Sequence, residues 1–152
     1  MDMSNTTNET AKTYKIDSAA RSAAYDGRDA RYHARRANAR AMAQATGKSV
    51  TTCERILLLA PCVAGYLAEG IEGVFAAINE PMNDLSTTHG DVEYVWCRAM
   101  TAKYGPVGAI RKSDEDANGR PNAAFIAAHP YVGSKMREAE EKLTAFLGIA
   151  ND

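Results

Sequence analysis

Apolar residues recur every three or four positions along most of the chain, which is the spacing of one face of an α-helix. Short alternating runs of Val, Ile, Thr and Tyr, which are typical of strands, do not occur. The pattern predicts about five helices, at approximately residues 17–46, 51–61, 61–79, 91–104 and 130–147.

Glycine, proline and hydroxyl residues set the predicted helix boundaries. Gly47 and Gly148 follow the last periodic positions of two helices, where glycine commonly ends a helix. Thr51-x-x-Glu54 matches a capping box, so we expect the second helix to begin at Thr51. Pro61 has no backbone N–H, so we expect a break or kink there.

The strongest apolar faces predict the core. Residues 56–60 are apolar on every side, which indicates a central position. Glu69 and Glu72 interrupt the longest apolar stretch, so it predicts a pair of core helices with no membrane contact. The side chains expected to be largely buried are Leu58, Phe75, Trp96, Leu143 and Phe146.

Length and composition indicate one globular all-α domain. The chain has 152 residues, of which 45% are hydrophobic, and alanine is abundant. Residues 1–14 are polar and resemble a disordered tail in composition. We therefore predict a single compact bundle of about five helices over residues 15–152, preceded by an extended N-terminal arm at 1–14.

Charge is segregated along the chain although the net charge is only −1. Residues 1–50 hold nine Lys and Arg against five Asp and Glu, a net +4, whereas residues 51–100 hold two against seven, a net −5. Such asymmetry indicates a contact surface for an acidic partner or nucleic acid, or pairing within the chain. The candidate contact residues are Arg28, Arg31, Arg35, Arg36, Arg40 and Arg55.

The stretch AQATGKSVTTCERIL, residues 43–57, has two interpretations. Ala43, Gly47, Val50, Cys53 and Ile56 fit the small, turn and apolar positions of a helix-turn-helix, and over about fifteen residues the stretch resembles that motif of bacterial repressor-type domains. The resemblance implies that Ser49, Thr51 and Arg55 face a DNA groove. The alternative is an ordinary helix end followed by a capped helix start.

Catalytic chemistry has one candidate grouping, formed by His89, Asp91 and Cys97. A Cys–His nucleophile requires an accessible thiolate held against the imidazole, and Cys97 on an amphipathic helix favours packing instead. The three histidines are scattered, and no phosphate-binding glycine motif occurs. We therefore expect no cofactor and no metal.

Three cysteines without a CxxC indicate reduced, mostly buried thiols, and no apolar leader precedes the first helix. We expect a cytoplasmic protein, or part of a particle assembled there. The leading hypothesis is a non-enzymatic, protein-binding component of a larger assembly, homo-oligomeric or a viral or bacterial accessory protein. The alternatives are a helix-turn-helix regulator that binds nucleic acid and, third, a small enzyme that uses the grouping around His89.

Overall fold

The computed structural model describes residues 18–108 and 110–148, so the predicted arm at 1–14 lies outside the described residues. The all-α prediction is confirmed: the described residues form seven α-helices and two short 3-10 turns, and contain no β-strand. The α-helices are α1 (Ser18–Asp26), α2 (Arg28–Thr46), α3 (Val50–Glu69), α4 (Ile71–Asn79), α5 (Gly90–Tyr104), α6 (Ala123–Ala128) and α7 (Pro130–Leu147).

The count exceeds five because Gly27 separates α1 from α2 and the short segment 123–128 is itself helical. The helices belong to two compact units, whose boundary falls between Glu93 and Tyr94 within α5. The first unit comprises the described residues from 18 to 93, and the second comprises those from 94 to 148.

The helix break that the sequence predicted at Pro61 does not occur there. Helix α3 continues through Pro61 and ends at Gly70, whose φ of 66° lies in the region that favours glycine. Pro61 lacks a backbone N–H, yet the helix does not end there. The sharp change of direction therefore occurs at the residue that can adopt a positive φ.

The turn after Gly70 lets α3 and α4 cross at two glycines. A Cβ atom built on Gly65 would overlap the backbone carbonyl of Gly73, and one built on Gly73 would overlap that of Gly65. The two helix backbones therefore touch at this crossing. Beside it lies the core of the first unit, formed by Ala24, Ala39, Cys53, Leu59, Cys62, Val74, Phe75, Ile78 and Val92.

The second unit is organised by α7. Its apolar face is buried at Val132, Met136, Ala139, Leu143 and Leu147, of which Leu143 was predicted to be in the core. Phe146 is half-buried and packs its ring against Tyr94, with centroids 4.6 Å apart. Gly148 ends the helix with a φ of 72°.

The core predictions are partly wrong. Phe75 and Leu143 are fully buried, but Leu58 and Trp96 are only half-buried, as is Phe146. Cys53 and Cys62 are buried free thiols, whereas Cys97 is exposed, contrary to the expectation that it packs. Burial raises the pKa of the Cys62 thiol to about 11, so this thiol is protonated at neutral pH.

The start of α3 is capped by a different residue from the one predicted. Ser49 is the N-cap, and its Oγ accepts a hydrogen bond from the Thr52 N–H at 3.1 Å. Thr51 is exposed and lies inside the first turn. The predicted capping box at Thr51-x-x-Glu54 was therefore wrong. The helix begins one residue earlier than expected, and the hydroxyl of Ser49 accepts the hydrogen bond from the unpaired first-turn N–H of Thr52.

Replacing Ser49 with alanine should therefore lower the free energy of unfolding by about 0.5–2 kcal/mol, since a first-turn amide loses its acceptor. Thr51→Ala is the matched control and should change stability by less than about 0.5 kcal/mol. Urea unfolding of the two variants measures both values. A larger loss in Thr51→Ala than in Ser49→Ala would restore the original capping assignment.

Candidate functional site

Helix α2 carries five of the six candidate arginines and buries only Ala39, so most of its side chains are exposed. Near its start, the guanidinium of Arg28 lies 4.5 Å from the centroid of the Tyr25 ring and 3.9 Å from the Asp29 carboxylate. Both contacts are local to α1 and α2. Arg28 therefore belongs to an exposed, locally paired surface.

Arg31 joins three segments of the first unit. Its guanidinium donates to both carboxylate oxygens of Asp84, at 2.7 and 2.8 Å, and also to the backbone carbonyl of Ala24. The hydrogen bond to Asp84 raises the pKa of Arg31. Arg31 thus ties the end of α1 and the loop after α4 to α2.

Two further arginines pair with carboxylates. Arg36 donates to the Tyr32 hydroxyl at 3.1 Å and lies 3.4 Å from the Glu54 carboxylate on α3. The hydrogen bond to Tyr32, followed by the charge of Glu54, raises the pKa of Arg36. Arg55 donates to both oxygens of Asp91, at 3.0 and 3.1 Å.

Arg35 and Arg40 differ from the other four. Within the part of the chain that the structure describes, neither forms an ion pair with a carboxylate. Arg35 is half-buried with its guanidinium 5.8 Å from the centroid of the Tyr32 ring, and Arg40 is exposed. These two are the cations of α2 that remain available to an external anion.

Arg35, Arg36 and Arg55 border a cleft of about 500 Å³, which we call the arginine cleft. It lies between α2, the first turns of α3 and the segment 84–92. Its lining residues are Tyr32, Arg35, Arg36, Thr51, Thr52, Glu54, Arg55, Leu58, Asp84, Ser86, His89, Asp91 and Val92. Three guanidinium groups and three carboxylates line it, and two of these arginines, Arg36 and Arg55, pair with carboxylates of the cleft. No group of three metal-ligating side chains occurs in the described ranges.

The three residues that the helix-turn-helix interpretation assigns to a DNA groove have other contacts here. Ser49 caps α3 through its hydroxyl, which also donates to Thr52 Oγ1 at 2.9 Å. Thr51 and Arg55 line the arginine cleft, and the fork of Arg55 is engaged by Asp91. A base contact by Arg55 would require this bidentate pair to open first.

The candidate catalytic residues are only partly brought together. His89 Nδ1 accepts a hydrogen bond from the Asp91 backbone N–H at 3.3 Å at the start of α5, while the Asp91 carboxylate binds Arg55. The carboxylate is therefore not positioned by a hydrogen bond to the imidazole. Cys97 is exposed and belongs to the second unit. A catalytic use of these residues stays a prediction.

A second surface, on α3, was not predicted from the sequence. Only Cys53, Leu59 and Cys62 are buried among the 20 residues of this largely apolar helix. Ile56 is 41% exposed and Leu67 is 65% exposed. The prediction that residues 56–60 are central was therefore wrong: Leu59 is buried, but Ile56 and Ala60 are exposed.

The uncovered positions lie along one side of α3. Ile56, Ala60, Val63 and Leu67 follow one another at intervals of four, three and four residues, and Ala64 lies beside them. We call this set the apolar stripe. Val63 is half-buried, and the other four are exposed. The helical spacing of these residues was visible in the sequence, but nothing there indicated that the chain would leave them uncovered.

The same helix is the one element in the described ranges that is long and apolar enough to cross a membrane. Length and composition are weak evidence for a span, because core helices of soluble proteins pass the same test. The absence of membrane contact stays a prediction.

Comparison with protein-family models, with curated proteins and with solved structures finds no match to this chain.

Proposed function

We propose that this chain is a non-enzymatic, protein-binding component of a larger assembly and that the apolar stripe on α3 is its contact surface. The supporting observation is that α3, the longest of the described helices and a largely apolar one, buries three of its 20 residues. Contiguous apolar surface in water is unfavourable, and soluble monomers rarely retain large patches of it without a partner. The stripe carries no charged residue between Ile56 and Leu67.

The contacts of three of the six candidate arginines support a structural role for part of the basic surface. Arg31, Arg36 and Arg55 each pair with a carboxylate from another segment of the first unit, namely Asp84, Glu54 and Asp91. A guanidinium held in this way has fewer donors for an external phosphate. The positive charge of α2 thus supports the unit to which it belongs, and the partner surface lies elsewhere.

The nucleic-acid regulator remains the second candidate because Arg35 and Arg40 form no ion pair among the described residues. Two such cations on one helix can contact phosphates. A regulator would also need Arg55 to leave Asp91 and reach a base edge.

Retention on immobilised duplex DNA separates the two candidates. We expect little retention at 50 mM salt and a shallow dependence on salt between 50 and 200 mM, because few arginines are available. Each phosphate contact adds about one unit to the slope of log affinity against log salt concentration. The variant Arg35→Ala/Arg40→Ala should then differ little from Arg111→Ala/Arg137→Ala, which removes the same charge from exposed positions of the second unit.

Two results would contradict the proposal and favour the regulator. One is strong retention that falls about 10-fold or more over the same range of salt and is lost in Arg35→Ala/Arg40→Ala alone. The other is a loss of about 1–3 kcal/mol in binding to one preferred sequence on Arg55→Ala.

A further inference from the structure

The charges of the arginine cleft do not balance when each carboxylate is matched with its partner. All three carboxylates that line the cleft are paired, each with a different arginine: Asp84 with Arg31, Glu54 with Arg36 and Asp91 with Arg55. Arg35 is a fourth guanidinium, and it pairs with no carboxylate among the described residues. Arg35 therefore carries the uncompensated positive charge of the cleft.

The surroundings of Arg35 favour an added anion. Its side chain is half-buried and lines the cleft, and its guanidinium lies 5.8 Å from the centroid of the Tyr32 ring. A cation that is partly removed from water without an anion beside it is unfavourable, because no charge partner offsets the lost hydration. An anion bound in the cleft would supply that partner.

Hydroxyl groups at the start of α3 line the same cleft. Thr51 and Thr52 are both exposed, and the Thr51 hydroxyl has no hydrogen-bond partner within the described ranges. Thr52 Oγ1 accepts a hydrogen bond from Ser49 Oγ at 2.9 Å, which leaves the Thr52 O–H able to donate. Both threonines lie in the first turn of a 20-residue helix, whose N-terminal end is electropositive. The cleft thus offers an anion hydroxyl donors as well as a guanidinium.

We infer that the arginine cleft binds a small phosphate monoester, with Arg35 as the cation that contacts the phosphate. A guanidinium can contact two phosphate oxygens, and the remaining oxygens can accept from hydroxyl groups. The volume of about 500 Å³ is typical of small-molecule sites and is more than a bare phosphate ion fills. Tyr32, Leu58 and Val92 line the cleft and provide apolar surface for the organic part.

This site goes beyond the proposed function, because no residue of the apolar stripe lines the cleft. Nucleic acid presents the same phosphate chemistry, but it would place successive phosphates along α2. Such a strand would use Arg40 as well as Arg35, since these are the two unpaired cations of that helix. A small monoester would use Arg35 alone, because Arg40 does not line the cleft.

Titrations followed by amide NMR spectra of the full chain test the inference. The probes are inorganic phosphate and phenyl phosphate, with sodium chloride at the same ionic strength as the blank. The amide signals of Thr51 and Thr52 should shift saturably, with a dissociation constant on the order of 1 mM for inorganic phosphate. The constant for phenyl phosphate should be at least about 3-fold lower, because its ring covers apolar surface of the cleft.

Arg35→Gln should raise the dissociation constant of phenyl phosphate about 10-fold or more, because it removes the cation that contacts the phosphate. Arg40→Gln is the matched control: it makes the same change on the same helix outside the cleft and should alter the constant less than about 2-fold. Thr51→Val removes a hydroxyl donor at an exposed position and should raise the constant about 3-fold or more.

Four results would overturn the inference. The first is the absence of saturable shifts at Thr51 and Thr52, and the second is an equal affinity for the two probes. The third is an unchanged affinity in Thr51→Val, which decides the matter even if Arg35→Gln fails to fold. The fourth is a short DNA duplex that shifts the same amides and loses affinity equally in Arg35→Gln and Arg40→Gln, because the cleft would then belong to a nucleic-acid surface.

Discussion

Replacing Gly73 with alanine should lower the free energy of unfolding of the first unit by about 3 kcal/mol or more. The added methyl group would overlap the backbone carbonyl of Gly65, and a backbone cannot rotate away as the end of a long side chain can. Helices α3 and α4 would have to separate, which would loosen the packing of Phe75 and its buried neighbours.

Gly90→Ala is the matched control for this prediction. Gly90 is the first residue of α5, and no atom lies within 4 Å of a Cβ built on it. Alanine there should leave stability unchanged or raise it by up to about 1 kcal/mol. Urea unfolding compares the two variants. Equal stabilities would show that α3 and α4 do not cross at these glycines.

Leu143→Ala should destabilise the second unit by about 2–5 kcal/mol, because the side chain is fully buried on the apolar face of α7. The loss combines the lost transfer free energy of the leucine with the cavity that remains. Thermal or urea unfolding, followed by the fluorescence of Trp96 in the same unit, measures the change.

The same substitution at Leu67 provides the comparison. Leu67 is exposed on α3, so Leu67→Ala should change stability by less than about 0.5 kcal/mol when the protein is dilute enough to be monomeric. A loss below about 1 kcal/mol for Leu143→Ala would mean that the inner face of α7 is assigned incorrectly.

Local signals predicted the helices well. Periodicity located α7 and its inward residues, and Gly47 and Gly148 end their helices at positive φ, as glycine permits. The signals failed where two of them competed within a few residues. Ser49 and Thr51 both have hydroxyls that can cap a helix, and Pro61 and Gly70 are both residues of types that commonly interrupt helices. The helix begins after Ser49, continues through Pro61 and ends at Gly70.

The candidate surfaces were harder to predict because they depend on contacts distant in sequence. The sequence predicted a basic α2, but not that Arg31 would meet Asp84, 53 positions away, or that Arg55 would meet Asp91. An all-apolar segment usually indicates a core helix. Whether Ile56 and Leu67 are covered depends on how the rest of the chain packs, and this is a tertiary property that periodicity does not contain.

The rate of thiol labelling at two leucine positions of α3 tests most directly whether the apolar stripe is an open binding surface. Leu67→Cys and Leu59→Cys place the same group on the exposed and the buried side of one helix, in a Cys97→Ser background that removes the exposed native thiol. Cys62 contributes little labelling because its pKa is about 11 and it is buried.

In dilute protein, Leu67→Cys should react at close to the rate of the urea-unfolded chain, and Leu59→Cys should react at least about 100-fold more slowly, because its thiol becomes accessible only when the unit opens. Equally slow labelling at both positions in dilute protein would show that the chain covers the stripe itself, and would contradict its role as a protein-binding surface.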